Sequence, residues 1–331
     1  MKRKYLNKIS LLTLSAVLLL VISAGCNGDG ATPALVSPEG GVSVGLPSPS
    51  VSEELADEAW QQRFIFHVGP VDLPAGTKAQ DMEEEPLRMN FQTDEDIWVT
   101  AFLPRVVDVS GSELPSELLA HAIVSNMHED NPVCADSGVG NPAFIATSML
   151  TEIELPQGYG YPVLSTDPLQ AEVILENPTE ESFAGVYFEL TLVARPMNDF
   201  TNLADVKPML VEFDPCGHEP IDVEPGAFAE KNVSYKLSES SRVIMVSGAL
   251  GDYGASLSLT AGEEIAPFWR SEAELDEGHA IVDLTDSPFV DMETTLSAGG
   301  EISLSAAYDN TSDSWLKSAT AAAMIYVNPT E

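Results

Sequence analysis

From Trp60 onward the apolar and polar positions alternate in short runs, and helical spacing is scarce. Ala255–Leu259 (Ala-Ser-Leu-Ser-Leu) and Ile302–Ala306 (Ile-Ser-Leu-Ser-Ala) repeat every second residue, the spacing of a strand with one buried face. Apolar runs of strand length recur at Ile97–Leu103, Ala171–Leu175, Val186–Val193, Arg242–Val246, Ala280–Leu284 and Met324–Val327. Turn-forming residues punctuate them: Asp252-Tyr-Gly254, Ser297-Ala-Gly-Gly300 and Asp309-Asn310. Ser52–Gln62 and Ser116–Leu119 are the only modest helical candidates. Many short strands with regular punctuation predict an all-β fold of antiparallel β-sandwiches, jelly-roll-like in kind. A break near Pro196–Val206 predicts two tandem domains, 59–197 and 198–331, each of ordinary domain size. No short internal repeat is visible.

The first 58 residues follow another pattern. Lys2, Arg3, Lys4 and Lys8 precede a nearly continuous apolar run over residues 9–22, followed by Ser23-Ala-Gly25 and Cys26. This order of cations, apolar run and small residues predicts an export signal over 1–25. The run is short for a membrane span, which needs about 20 residues. Cys26 directly after Ala24-Gly25 resembles the bacterial lipobox, although Ser23 stands where such sites usually carry Leu. The expectation is a lipidated Cys26 anchoring the chain to an extracytoplasmic membrane surface. The alternative is an ordinary cleaved signal with an incidental cysteine. Residues 26–58, rich in Gly, Pro and Ser, predict a flexible tether.

Charge narrows the partners. The chain holds 15 Lys+Arg against 52 Asp+Glu, a net charge of -37, and four of the cations lie in the export segment. So acidic a body repels phosphate backbones, which excludes nucleic acid as a partner. Hydrophobic residues at 44% supply enough apolar mass for real cores.

The remaining chemistry is sparse. With Cys26 lipidated, Cys134 and Cys216 form an even pair in an oxidising compartment, and a bridge between them would staple the two domains. Two free thiols are the alternative. No phosphate loop, dinucleotide fingerprint or zinc-protease motif occurs. The acidic run Met82–Pro86 reads as a solvated loop, with a calcium site as the alternative. Asn232-Val-Ser and Asn310-Thr-Ser match the glycosylation acceptor pattern, which a bacterial lipoprotein would usually leave bare. Trp98, Trp269 and Trp315 are expected as core or inter-sheet aromatics.

Several segments occur in an order that matters. They are Phe66–Gly76, Asp96–Asp108, Gly140-Asn-Pro142, Leu155–Val163, Leu175-Glu-Asn-Pro-Thr179, Gly248-Ala-Leu-Gly-Asp-Tyr-Gly254 and Val282 through Tyr308-Asp-Asn-Thr311. Over about 63 to 327 the chain resembles the copper type II, ascorbate-dependent monooxygenases, the family of peptidylglycine α-hydroxylating monooxygenase, and in particular bacterial two-domain relatives. The resemblance implies two roughly nine-stranded antiparallel sandwiches. It also implies two copper sites facing a shared cleft, built from imidazoles and a thioether.

Most of those donors are replaced. His121-Ala122 stands where the family has a His-His pair, and Asn177-Pro178-Thr179 where it has Asn-His-Thr. Gly248–Gly254 keeps the frame of Gly-His-x-His-Asp-Tyr-Gly, with Ala249 and Gly251 in place of both imidazoles. Met324 lies near the expected thioether. Only His121 matches a ligand, so it is carried forward as a vestigial metal position. His67, His128, His218 and His279 are scattered. The expectation is a surface lipoprotein that binds copper or any other cofactor nowhere and performs no catalysis. It would hold a small ligand or an envelope protein at the cleft between its domains. The alternative is a divergent copper-dependent monooxygenase with a site rebuilt from His121, His128, Met127 or acidic residues.

Overall fold

The computed structural model describes residues 50–51, 61–79, 82, 86–131, 140–150, 152–198, 202–213, 221–262, 266–275, 281–285 and 294–330. Residues 1–25, read above as an export signal, and Cys26, Cys134, Cys216, His218 and His279 lie outside them.

The first sandwich is built from β1 (Ser50–Val51), β2 (Gln62–Leu73), β3 (Leu87–Phe91), β4 (Ile97–Val107), β5 (Leu119–Asp130), β6 (Gly140–Ala146), β7 (Ile153–Glu154), β8 (Tyr159–Val163), β9 (Leu169–Leu175), β10 (Phe183–Pro196) and β11 (Ala204–Asp205). One sheet runs β1-β2-β10-β4-β8-β11 with β7 beside β4, and the other runs β3-β9-β5-β6. Alternation sets the facing. In β2, Phe64, Phe66 and Val68 point into the core, while His67 between them is exposed. Phe102 and Phe144 stack across the two sheets with ring centroids 4.9 Å apart.

The second sandwich contains β12 (Lys207–Glu212), β13 (Ile221–Val223), β14 (Phe228–Lys236), β15 (Ser241–Leu250), β16 (Gly254–Ala261), β17 (Trp269–Leu275), β18 (Ile281–Leu284), β19 (Thr295–Leu296), β20 (Glu301–Asp309), β21 (Leu316–Ala319) and β22 (Ala321–Pro329). Its sheets run β12-β22-β15-β19 and β14-β20-β16-β17-β18, with β13 paired to β21.

Strand for strand the two sandwiches follow one path. β2-β10-β4-β8 corresponds to β12-β22-β15-β19, and β3-β9-β5-β6 to β14-β20-β16-β17. Each set of eight is the four-on-four arrangement of a jelly roll. The fold is all-β, as the alternation predicts. The strand runs read from sequence fall in β4, β9, β10, β15, β16, β18, β20 and β22. Ser116–Leu118 is a single 3-10 turn.

A repeated lock shows the correspondence at atomic detail. Buried Asn177 donates its side-chain amide to the carbonyls of Leu73 (3.0 Å), Pro74 (3.0 Å) and Glu181 (2.7 Å), and its Oδ1 accepts from Thr179. Buried Asn310 does the same to Val223 (3.1 Å), Glu224 (3.1 Å) and Ser314 (2.8 Å), and accepts from Ser312. The turns so gripped carry Gly76 at φ 74° and Gly226 at φ 66°. The two halves thus repeat one strand path at domain length, with no short sequence repeat beneath it. Side-chain identities differ almost throughout, while the backbone path and its polar lock recur. Asn310, fully buried and bonded, is a structural residue and no accessible glycosylation acceptor; Asn232 is exposed.

β11 pairs parallel to β8 of the first sandwich and β12 begins at Lys207, so the strands change over at Val206, at the end of the break read at Pro196–Val206. Ser50–Val51, expected within the flexible stretch 26–58, pairs with Ile65 and Phe64, supplying partners to an otherwise open edge of β2.

The sandwiches pack through the outer face of the β12-β22-β15 sheet. In β22, Ala321, Ala323, Ile325 and Val327 face the second core, and Met324 and Tyr326 join the core cluster of the first sandwich. A strand buried on both faces reads as a continuous apolar run, which is why Ala321–Val327 shows no alternation. Opposite it lies β6, buried at every residue. Tyr326 donates to the Ala143 carbonyl at 2.9 Å, and Asn328 to the Asp205 carbonyl at 2.7 Å.

Candidate functional site

Beyond the end of this packed interface the two sandwiches leave a cleft of about 480 Å3. Volumes of 300–1,000 Å3 are usual for small-molecule sites.

His121 reaches the cleft because β5 carries a bulge. Leu119 pairs with Leu175 and His121 with Ile174, so one extra residue, Ala120, is inserted. The burial sequence shows the effect: Leu119, Ala122 and Val124 face inward, while Ala120, His121 and Ile123 face out. Bulges re-aim side chains in this way. The second sandwich bulges at the equivalent place, between Gly254 and Ser256 opposite β20. Ser256 there takes the register of His121.

Glu176 enters directly after β9, where its N–H donates to the Leu118 carbonyl at 3.0 Å. From the second sandwich come Glu212 at the end of β12, Ala249 and Leu250 at the end of β15, and Asp252 in the following turn. That turn is tight. The Gly254 N–H donates to the Gly251 carbonyl at 3.0 Å, and Tyr253 sits at φ 60°. A Cβ on Gly248 would stand 2.6 Å from the Trp269 ring, and one on Gly254 would stand 2.2 Å from Leu250 Cγ. The Gly248–Gly254 pattern therefore has a packing reason of its own.

Electrostatically the cleft is acidic. Burial raises the Glu176 carboxyl above its ordinary range, the charge of Asp252 raises it further, and the Ala79 N–H opposes both. Lys317, the one lysine or arginine among the described lining residues, donates to Asp222 at 2.5 Å. The remaining walls are mostly apolar and mix alanines such as Ala120 and Ala322 with larger side chains such as Ile123, Met149, Phe213 and Leu316.

Of the positions singled out in the sequence, His121, Ala122, Ala249 and Gly251 all line this one cleft. Met324 does not; it is fully buried between the sandwiches. Asn177 is committed to its lock. His128 lies toward the far end of β5, seven residues of extended strand or roughly 20 Å from His121, with its Nδ1 3.0 Å from the buried Asp167 carboxylate. His67 lies on the opposite sheet of the first sandwich, 2.8 Å from Glu189. Strand geometry thus keeps His121 and His128 from sharing one metal. Among the described residues no three His, Cys, Asp or Glu side chains are grouped closely enough to hold a metal ion. Among its described lining residues the cleft holds one imidazole, His121, the Met149 thioether and the carboxylates of Glu176, Glu212 and Asp252. Trp269 is a core residue and Trp98 is partly buried; Trp315 is exposed and stacks under the Lys317 ammonium at 4.6 Å.

No protein-family model matches the chain, and no curated protein matches it in sequence. Solved structures give distant likenesses. The major capsid protein P2 of bacteriophage PM2 is 10% identical over 81% of this chain and 98% of that one, with a TM-score of 0.37. A chain of Sulfolobus Turreted Icosahedral Virus is 8% identical over 80% and 91%, with a TM-score of 0.34. One from the Sputnik virophage is 11% identical over 95% and 91%, with a TM-score of 0.24.

The acids Glu176, Glu212 and Asp252 were missed in the sequence. Glu176 and Asp252 lie inside the Leu175–Thr179 and Gly248–Gly254 segments and Glu212 in neither, but nothing in those segments gives the acids a shared place; only the packing of two sandwiches brings them to one cleft.

Proposed function

We propose that this protein is an exported lipoprotein, held to a membrane through Cys26, that binds a ligand in the cleft between its two jelly rolls and carries out no redox chemistry. One observation carries the reading: the cleft stands open at about 480 Å3, while Ala122, Ala249 and Gly251 line it where the resemblance to copper monooxygenases implies imidazoles. On this reading the frame has kept its shape and lost its metal donors. The signal pattern over 1–25 and the Gly-, Pro- and Ser-rich stretch after it support export and tethering.

Copper titration of the purified body tests the loss of redox function. The expected result is no stoichiometric tight Cu(II) binding and no ascorbate-dependent oxygen uptake. Two tightly held coppers with oxygen consumption would overturn the reading in favour of a monooxygenase. Cys26→Ala tests the anchor: the variant is expected to leave the membrane fraction.

A further inference from the structure

The docking between the two sandwiches uses one face of a repeated unit, and the same face of the other unit is left over. In the second sandwich Leu210, Ile244, Met324 and Tyr326 press against the first. Strand register and the bulge shared by β4 and β15 place Ile65, Thr100, Thr191 and Val193 at the same positions on the outer face of β2-β10-β4. Ile65 and Val193 belong to neither core. This face carries Arg63, Arg105 and Arg195, three of the six arginines beyond residue 25, with Trp98, Leu103 and Tyr187 half-buried beside them. Its strands add one acid, the buried Glu189, held by Arg105 and His67. β7 adds Glu154 at the rim. The Arg105 and His67 side chains remain 46% and 42% exposed. Arg, Trp and Tyr are the residues that protein interfaces favour, and in a chain of net charge -37 a face this rich in arginine is complementary to an acidic surface.

We propose that the outer face of β2-β10-β4 docks a second copy of this chain, head to tail, on the acidic outer side of that copy's second sandwich. The repeat says where. Within the chain the second sandwich sits on β6, and the counterpart of β6 is β17. Ile145 of β6 and Arg270 of β17 hold one register, opposite Ile123 and Ser258. Beyond Arg270 the outward positions of β17 are exposed Glu272 and Glu274, and Leu275 at its end is 45% exposed. Arg270 lies 2.9 Å from Glu272, which leaves the row with one more acid than base. The apolar contact inside the chain thus has an ionic counterpart between chains. A head-to-tail contact closes into a ring or runs on as a filament, according to its rotation.

Sedimentation of the full chain reads the test. The expected result is concentration-dependent self-association in about 0.15 M salt, lost in about 1 M salt where the screening length falls to about 3 Å. High salt also screens the repulsion between two acidic bodies, so a loss there reports contacts of opposite charge. Arg63→Glu with Arg195→Glu, and Glu272→Arg with Glu274→Arg, should each weaken association about tenfold or more at an unchanged melting temperature. The two variants mixed should associate again. If the arginine pair melts early, the exposed glutamate pair decides. A chain that stays monomeric overturns the proposal, and binding of poly-L-glutamate by that monomer assigns the face to another acidic partner. Association that survives high salt or either charge reversal, or a mixture of folded variants that stays apart, overturns the head-to-tail contact.

Discussion

Glu176 is half-buried at the mouth of a cleft whose other wall presents Asp252, and its carboxyl is held above its ordinary value of 4.5, first by burial and then by that neighbouring charge. The folded state therefore holds the Glu176 proton to a higher pH than the unfolded chain does. Between the ordinary and the raised pKa the native protein binds more protons, so its stability falls as pH rises through that window. Glu176→Gln removes the penalty. The variant is expected to melt at a higher temperature than the parent at pH 7, with the difference vanishing at acidic pH where Glu176 is protonated in both states. Calorimetry across pH 3.5–7.5 checks the sign. A cleft that keeps an unfavourable carboxylate is consistent with selection for something other than stability.

At the scale of elements, β5 and the two asparagine locks carry the lesson. Nothing in the order Leu119–Val124 marks a bulge, and only pairing with β9 reveals the one that turns His121 toward the cleft. Asn177 and Asn310 look like turn residues, and Asn310 like a glycan acceptor, yet each is fully buried and ties a distant turn to its own loop. Removing either amide strands three backbone carbonyls. Asn177→Ala and Asn310→Ala should each cost about 3 kcal/mol or more, read as a drop in the urea midpoint at unchanged slope. A far smaller loss in either would deny that the locks are equivalent.

At the scale of the whole molecule, the two jelly rolls lean on each other asymmetrically. The outer face of the second sandwich's β12-β22-β15 sheet is apolar at Leu210, Ile244, Met324 and Tyr326, all counted in the core of the first. Each such side chain contributes roughly 1.5–3 kcal/mol when fully buried. The second sandwich expressed alone, from Val206 to Glu331, should therefore expose a sticky face and self-associate. Replacing Met324 and Tyr326 with Lys and Glu should restore a monomer, as seen by light scattering. A soluble monomer from the unaltered fragment would show that the interface is not needed to cover that sheet.

Local pattern in the chain determined the class of the fold, the positions of most strands, the place of the tight turns and the acidity of the body. These follow from nearest neighbours, since side-chain alternation and turn chemistry act over a few residues. The resemblance to copper monooxygenases, rather than local pattern, marked His121, Ala122, Ala249 and Gly251, which line one cleft. Tertiary structure alone decided that the two halves repeat one path, that the break lies at Val206, that His128 stands far from His121, and that Glu176 opposes Asp252. Each of these depends on contacts between residues distant in the chain, which are set by register, bulges and sheet packing and leave no periodic trace in the order of the amino acids.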